Sequence, residues 1–291
     1  MKILNFGSLN QDYVYKVDHF VQPGETILSD QLDIFSGGKG LNQSIALARA
    51  GATVFHAGKI GSDGQKLLEF LTDNHVDTRF IRQAGCPGGH ALIQVDRTGQ
   101  NCIILFGGAN QQIEESDIDQ TLEYFSAGDI LLLQNEINNT GLIMRKAHER
   151  GLRIGFNPSP ITDDLLLYPL QFVEWFILNE IEAEVLSQET DPDQMAARIV
   201  ERYPQSAVIL TLGGKGAQYH DRVKTVYQEA QTVPVADTTA AGDTFTGYFL
   251  ASLAERRPVE EALKIATAAA AICVSRPGAS SSIPWREELK I

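Results

Sequence analysis

The chain has 291 residues, 43% of them hydrophobic and 21% charged, enough to bury a full core as one large domain or as a domain with a small appendage. Its 24 basic and 37 acidic residues give a formal charge of −13, which argues against sequence-independent binding to nucleic acid or to an anionic membrane and requires any phosphate to be held by local donors. Three cysteines, Cys86, Cys102 and Cys273, form neither a CxxC pair nor a disulfide framework, so a reducing, cytoplasmic setting is expected.

Met1-Lys2 leads directly into Ile3-Leu4-Asn5-Phe6-Gly7, which reads as a buried first strand with no signal peptide ahead of it. Beyond it, Asn10 and Asp12 either form a turn or face a ligand at the strand's C-terminal edge. Residues 13–35, around Pro23-Gly24, read as a small β excursion that could act as a flap. Ser36-Gly37-Gly38-Lys39-Gly40-Leu41-Asn42-Gln43 then opens a helix that stops at Gly51. Its glycines let backbone approach a small polar ligand, and Lys39 and Asn42 supply a cation and an amide. Walker A and GxGxxG patterns are absent, so P-loop and dinucleotide-binding readings fail.

Residues 53–81 repeat a strand-helix-strand rhythm, and residues 89–106 interrupt it with a hairpin pattern around Asp96-Arg97-Thr98-Gly99. Strands at Ile130–Leu133, Arg153–Phe156, Trp175–Leu178 and Val208–Leu212 then alternate with helices, which points to a parallel sheet covered on both sides. Polar residues follow each strand: Gln134-Asn135-Glu136, Asn157-Pro158, Asn179-Glu180-Ile181-Glu182 and Thr211 to Gly216. They should line one crevice with Asp12 and Asp243. Asp237-Thr238-Thr239-Ala240-Ala241-Gly242-Asp243 delivers a helix N-terminus whose small residues let an anion reach free amides. Asp243 either complements that helix dipole or takes a proton from a hydroxyl attacking phosphorus. The apolar run Ile265–Val274 is too short to span a bilayer and reads as a buried helix.

Gly37-Gly38-Lys39-Gly40-x-Asn42-Gln43, Asn157-Pro158-x-Pro160, Asn179-x-x-Glu182, Thr211-Leu212-Gly213-x-x-Gly216 and Asp237-Thr238-x-Ala240-Ala241-Gly242-Asp243-Thr244-Phe245 together resemble the ribokinase branch of the PfkB carbohydrate kinase family, over residues 4–289. The resemblance implies a three-layer α/β/α fold with a mostly parallel central sheet, a single kinase domain over 1–291, and a β lid at 13–35 and 89–106 that also makes a homodimer. It implies transfer of the γ-phosphate of ATP to the terminal hydroxyl of D-ribose. Alternatives are a kinase of the same family for another pentose or a nucleoside, or a non-catalytic sugar sensor.

Carried over residue by residue, the resemblance assigns sugar binding to Asn10, Asp12, Gly38, Lys39, Gly40, Asn42, Glu136 and Asp243, the last also as catalytic base. ATP would meet Asn179, Thr211, Leu212, Gly213, Gly214, Lys215, Gly216, Ala240, Ala241, Gly242 and Thr267. Asn179 and Glu182 would position Mg²⁺ through water, and Asp237, Thr239, Cys273, Arg276, Gly278 and Ser282 would surround K⁺. Two residues depart from the pattern. Leu41 stands where Ala is usual, and His90 replaces an aliphatic residue expected over the sugar.

Overall fold

Segments such as Ile130–Gln134 and Ala207–Thr211 are buried at nearly every position, as strands are when both faces of their sheet are covered. The computed structural model describes residues 1–290. In chain order its strands are β1 (Ile3–Phe6), β2 (Asn10–Lys16), β3 (Gln31–Gly37), β4 (Val54–Ile60), β5 (Asp77–Gln83), β6 (Gly89–Val95), β7 (Asn101–Phe106), β8 (Ile130–Gln134), β9 (Arg153–Asn157), β10 (Val173–Asn179), β11 (Ala207–Thr211), β12 (Gly216–His220) and β13 (Thr225–Glu229). Its α-helices are α1 (Lys39–Arg49), α2 (Gln65–Asp73), α3 (Glu115–Leu122), α4 (Thr140–Glu149), α5 (Glu180–Ser187), α6 (Pro192–Arg202), α7 (Ala241–Ala254) and α8 (Val259–Val274).

Nine strands form the main sheet in the order β13-β12-β11-β10-β9-β8-β1-β4-β5. All neighbours from β11 to β5 run parallel, and β12 and β13 extend the edge as an antiparallel hairpin that sequence reasoning did not foresee. Successive strand residues enter opposite cores. Ile130 and Leu132 pack with Leu41, Phe249 and Leu263 of α1, α7 and α8, whereas Leu131 and Leu133 pack with Ile118, Ile143, Leu186 and Ile199 of α3 to α6. The architecture is therefore three layers, α/β/α, with a hydrophobic core on each side of the sheet. Strand order reverses between β1 and β8, and such a reversal leaves a crevice at the strands' C-terminal ends. Ser8 and Glu136 both lie just past those ends.

A second sheet, ordered β3-β2-β6-β7, is built from the two segments expected to make the lid and is called the lid below. The expected excursion at 13–35 resolves into two strands, the first already beginning at Asn10, joined through residues 17–30 without further strand structure. The expected hairpin at 89–106 is β6-β7, and β6 runs parallel to β2. Asp12 stands opposite both Phe35 and Ala91, and Ala91 opposite Leu105, so these four share one face. Tyr13, Ile34, His90 and Phe106 lie on the other.

This register corrects the expectation for His90. Its ring packs edge-on to Tyr13, with centroids 6.0 Å apart, and lies 5.0 Å from the Phe106 ring, on the side of the sheet away from Asp12. Period-two alternation gives Ala91, not His90, the face that Asp12 occupies. Both lid faces expose large apolar side chains, among them Ile34, Phe35, Ile103, Ile104, Leu105 and Phe106.

Candidate active site

Two helices point their N-termini into the crevice, and their amides differ in state. At α1, Lys39 N–H donates to Glu136 Oε2 at 3.0 Å, Gly40 N–H to Ser8 Oγ at 3.2 Å and Leu41 N–H to Ser8 O at 3.0 Å, while the Ser8 hydroxyl donates to the same Glu136 oxygen. Glu136, from beyond β8, thus already fills the α1 N-terminus with a carboxylate. The approach depends on Gly40, because a Cβ there would lie 2.3 Å from Ser8 N. At α7, by contrast, Ala241 N–H bonds Thr238 O and Thr244 N–H bonds Ala240 O, whereas the amides of Gly242 and Asp243 have no acceptor among the described residues. Ala240 reaches this arrangement with φ of 61°, in the left-handed region that is unfavourable for a residue with a Cβ. The helix start expected from the small-residue turn therefore presents two free amides at α7, whereas the amides at the start of α1 are already taken.

Asp243, 6% exposed, lies in the first turn of α7 with both oxygens held from one side. Asn42 Nδ2 donates to its Oδ2 at 3.0 Å and Gln43 Nε2 to its Oδ1 at 2.9 Å. Gln43 also donates to Asn157 Oδ1 at 3.0 Å and accepts from Gln134 Nε2 at 2.6 Å. Gln134 donates in addition to Asn5 Oδ1 at 2.9 Å, and Asn5 Nδ2 donates to Ser44 Oγ at 2.8 Å. Ser44 Oγ meets His56 Nδ1 at 2.7 Å, and His56 Nε2 meets Gly7 O at 3.2 Å. A carbonyl can only accept, so Nε2 carries the proton of a neutral imidazole, and burial pushes the His56 pKa down to about 4.

The lid side of the crevice is acidic. Burial, with Glu136 nearby, raises the Asp12 pKa to about 7. Burial likewise raises that of Glu136, against the opposing pull of Ser8 and Lys39. Burial alone would lower the Lys39 ammonium, but the charges of Asp243, Glu136 and Glu182 outweigh it and hold the group above its ordinary value. Asn10 Oδ1 accepts from Asn110 Nδ2 at 2.7 Å, and Asn110 Oδ1 accepts from Leu9 N–H at 3.0 Å, which leaves Asn10 its amide donors for a ligand. Gly37 lies against Asp12, where a Cβ would approach Oδ2 to 1.9 Å. Gly38, at φ of 92°, forms the N-cap of α1.

Two adjoining cavities extend from Asp243. One, of about 460 Å³, is lined by Lys39, Asn179, Glu180, Ile181, Thr211, Gly213, Thr238, Ala240, Gly242 and Asp243. The other, of about 410 Å³ and mostly apolar, continues past Thr211, Gly213, Gly214, Gly216, Ala241, Gly242 and Thr267. Thr267 is 5% exposed and its hydroxyl has no partner among the described residues. Leu212 and Lys215 line neither cavity: Leu212 packs toward the core of α3 to α6, and Lys215 is exposed, with its carbonyl taking the Ala230 N–H at 3.4 Å. Sequence reasoning missed the opposite wall, Ala230 to Val235, because nothing in that segment marks it as more than a loop.

Asn179 and Glu182 form a reciprocal cap at α5: Glu182 N–H donates to Asn179 Oδ1 at 2.8 Å, and Asn179 N–H to Glu182 Oε2 at 3.0 Å. Glu182 also accepts from Asn179 Nδ2 at 3.0 Å and from Asn157 Nδ2 at 3.3 Å, so its carboxylate is occupied and 4% exposed. This donor set fits a divalent cation through water, with Asn179 facing the cavity and Glu182 holding Asn179.

Asp237 Oδ1 accepts from Thr239 N–H and Oγ1 at 2.9 and 2.7 Å, and its Oδ2 accepts from Gly278 N–H at 3.1 Å. Partial burial opposes ionisation there, but these bonds outweigh it and hold the acid below its ordinary pKa. Cys273 Sγ lies 3.1 Å from Ser282 Oγ and 3.7 Å from Thr239 O, so the two segments meet in oxygen-rich backbone around a carboxylate compensated only by neutral donors. That chemistry fits a monovalent cation. The Arg276 side chain turns away to pair with Glu288 at 2.5 Å, leaving only its backbone near the loop.

The family model described as "pfkB family carbohydrate kinase" matches residues 1–286. A ribokinase of Haemophilus influenzae is 36% identical over 294 residues, spanning 97% of this chain and 95% of its own. The crystal structure of a Cryptococcus neoformans ribokinase in complex with ADP superposes with a TM-score of 0.88 at 35% identity, covering 99% of this chain and 98% of its own. The structure of an Arabidopsis thaliana ribokinase complexed with ribose and ATP does so with a TM-score of 0.87 at 28% identity, covering 99% and 96%. With its fold and the crevice at Asp243 set beside these relatives, the chain belongs to the pfkB family of carbohydrate kinases.

Proposed function

We propose that the protein phosphorylates D-ribose at its terminal hydroxyl, with ATP as donor and Asp243 as general base. The observation that carries this reading is the carboxylate of Asp243, held by two amide donors beside the unpaired amides of α7 and between the acidic crevice and the apolar cavity. The sugar lies under the lid. Asp12 and Glu136 accept from its hydroxyls, Lys39 and the Asn10 amide donate, and Asn42 completes the set, with Gly38 and Gly40 leaving room. The base of ATP enters the apolar cavity past Gly213 to Gly216 and Thr267. Asp243 removes the proton from the attacking hydroxyl, the new P–O bond forms to the γ-phosphorus, and the bond to ADP breaks. The amides of Gly242 and Asp243 face the transferring group, where charge develops.

In this reading Asn179 would hold Mg²⁺ through water beside the nucleotide phosphates, where the cation would supply charge neutralisation. Asp237, Thr239, Cys273, Gly278, Ser282 and the backbone of Arg276 would hold K⁺, which would order the turn that precedes α7. The lid pairs with that of a second copy, because a four-stranded sheet with Ile34, Ile104 and Phe106 exposed cannot leave such a face in water without cost. The unit works as one kinase domain in the cytoplasm, in line with three free cysteines. The test is Asp243→Asn. Turnover falls on the order of 10²–10⁴-fold with nucleotide binding retained; near wild-type turnover would overturn the assignment.

A further inference from the structure

We infer that Gln43 is a positioning residue for the base: it fixes the plane of the Asp243 carboxylate and gives one of its oxygens a buried hydrogen-bond donor. The inference rests on the reading of Asp243 as base, and it concerns a residue that touches neither substrate pocket. Gln43 is fully buried in α1, and every polar hydrogen and lone-pair direction it uses is assigned by its neighbours. Its two amide hydrogens go to Asp243 Oδ1 and Asn157 Oδ1, and its carbonyl accepts from Gln134.

The amide cannot be turned over without loss. Reversal would set Gln43 Oε1 against two acceptor oxygens, Asp243 Oδ1 and Asn157 Oδ1, and its NH₂ against the NH₂ of Gln134. Gln134 is held in the same sense by Asn5, whose NH₂ is spent on Gly40 O and Ser44 Oγ. The direction of the chain is fixed at its far end, where neutral His56 must donate to Gly7 O and therefore accept from Ser44. Donation thus diverges from the Gln134 amide, in one direction through Gln43 to the carboxylate and in the other through Asn5 and Ser44 to His56 and Gly7 O, and each link fixes the orientation of the next. Space for the chain is built into the backbone, since a Cβ on Gly7 would lie 2.4 Å from Gln134 Oε1.

Through Asn157 the same residue ties the base to the nucleotide side, because Asn157 donates to Glu182, which caps α5 and holds Asn179 at the cavity. Asn42 and Gln43 together occupy one side of both Asp243 oxygens, so the remaining lone pairs point to the cavity. The titratable groups that act on Asp243 from the surrounding elements are Lys39 at the start of α1, Glu136 beyond β8 and the Cys273 thiol on α8. Only Lys39 among these stabilises the carboxylate, which makes the amide donors the other support of its charge.

The experiment measures single-turnover phosphoryl transfer against pH, with both substrates saturating, for wild type, Gln43→Leu and the isosteric Gln43→Glu. The expected result is a rate about 10–100-fold lower, with the acid limb of the profile moved up by about one pH unit or more, furthest in Gln43→Glu, where two carboxylates must share the space. If Gln43→Leu fails to fold, Gln43→Glu alone decides. An acid limb displaced by less than about half a pH unit in the folded variants would assign Gln43 a purely structural role and overturn the inference. Asp243→Asn measured alongside separates the two claims: if it retains activity, the base assignment itself is wrong, whereas an inactive Asp243→Asn beside unshifted Gln43 variants refutes only the positioning role.

Discussion

Asp12 gives the sharpest quantitative expectation, because burial and the charge of Glu136 place its pKa at about 7 in the ligand-free protein. A sugar whose hydroxyls donate to Asp12 requires the carboxylate, so binding must expel a proton wherever the free protein still holds one. Affinity should therefore be level above pH 8 and weaken below pH 7, by about twofold at pH 7 and about 11-fold at pH 6. The same burial acts on stability with the opposite benefit. The folded protein holds the Asp12 proton to higher pH than the unfolded chain, so the unfavourable contribution is absent below about pH 4, grows as pH rises, and is complete above about pH 7. Its upper bound is about 4 kcal/mol, from a pKa of about 7 against 3.8 in the unfolded chain. Asp12→Asn should thus raise the melting temperature of the ligand-free protein at pH 8, leave it unchanged at pH 4, and lose sugar binding. Calorimetric titration with ribose in two buffers of different ionisation enthalpy counts the released proton directly. Affinity that is flat from pH 6 to pH 8, with no proton released, would refute the argument.

Gly37→Ala should raise KM for the sugar by about 10–100-fold, the equivalent of one hydrogen bond to a charged group, with KM for ATP held within about twofold, because its Cβ would displace the Asp12 carboxylate. Ala240→Val places a β-branched residue at φ of 61° and should lower both stability, by about 1–2 kcal/mol, and turnover, whereas Ala240→Gly should preserve both; thermal melts with steady-state rates distinguish them. His90→Val should leave the order of preference among ribose, its epimers and its deoxy analogue unchanged within about twofold in kcat/KM, since His90 lies behind the lid face that carries Asp12. Activity should rise with potassium relative to a tetraalkylammonium salt, and equal rates in both would remove the cation from the account.

The layered fold was legible because its causes are local and repeated. Apolar runs such as Leu131–Leu133, followed each time by polar residues and a helix, leave little choice but a covered parallel sheet. The open α7 N-terminus was legible too, because Ala240, Ala241 and Gly242 are small where an anion must approach. Glu136 is different: its place in the crevice was anticipated, but that it fills the α1 N-terminus depends on β1 and β8 being neighbours, a contact over more than a hundred residues. His90 was misplaced by one position of strand register, the smallest error that reverses a face. Asn5 reads only as part of the buried first strand, and Gln134 and Asn157 only as polar residues lining the crevice; their directional network exists only once three strands and α1 converge. Glu182 reads, with Asn179, as part of the element that positions Mg²⁺ through water; that its oxygens also close the cap of α5 is visible only in the fold.

The most direct test of the central claim is to incubate the purified protein with ATP, Mg²⁺, K⁺ and ribose and identify the products by phosphorus NMR. Ribose 5-phosphate and ADP should accumulate one for one, and Asp243→Asn should abolish both. ADP without a sugar phosphate, a phosphate on another hydroxyl, or equal product from Asp243→Asn would contradict the assignment of this crevice as a ribose kinase site with Asp243 as its base.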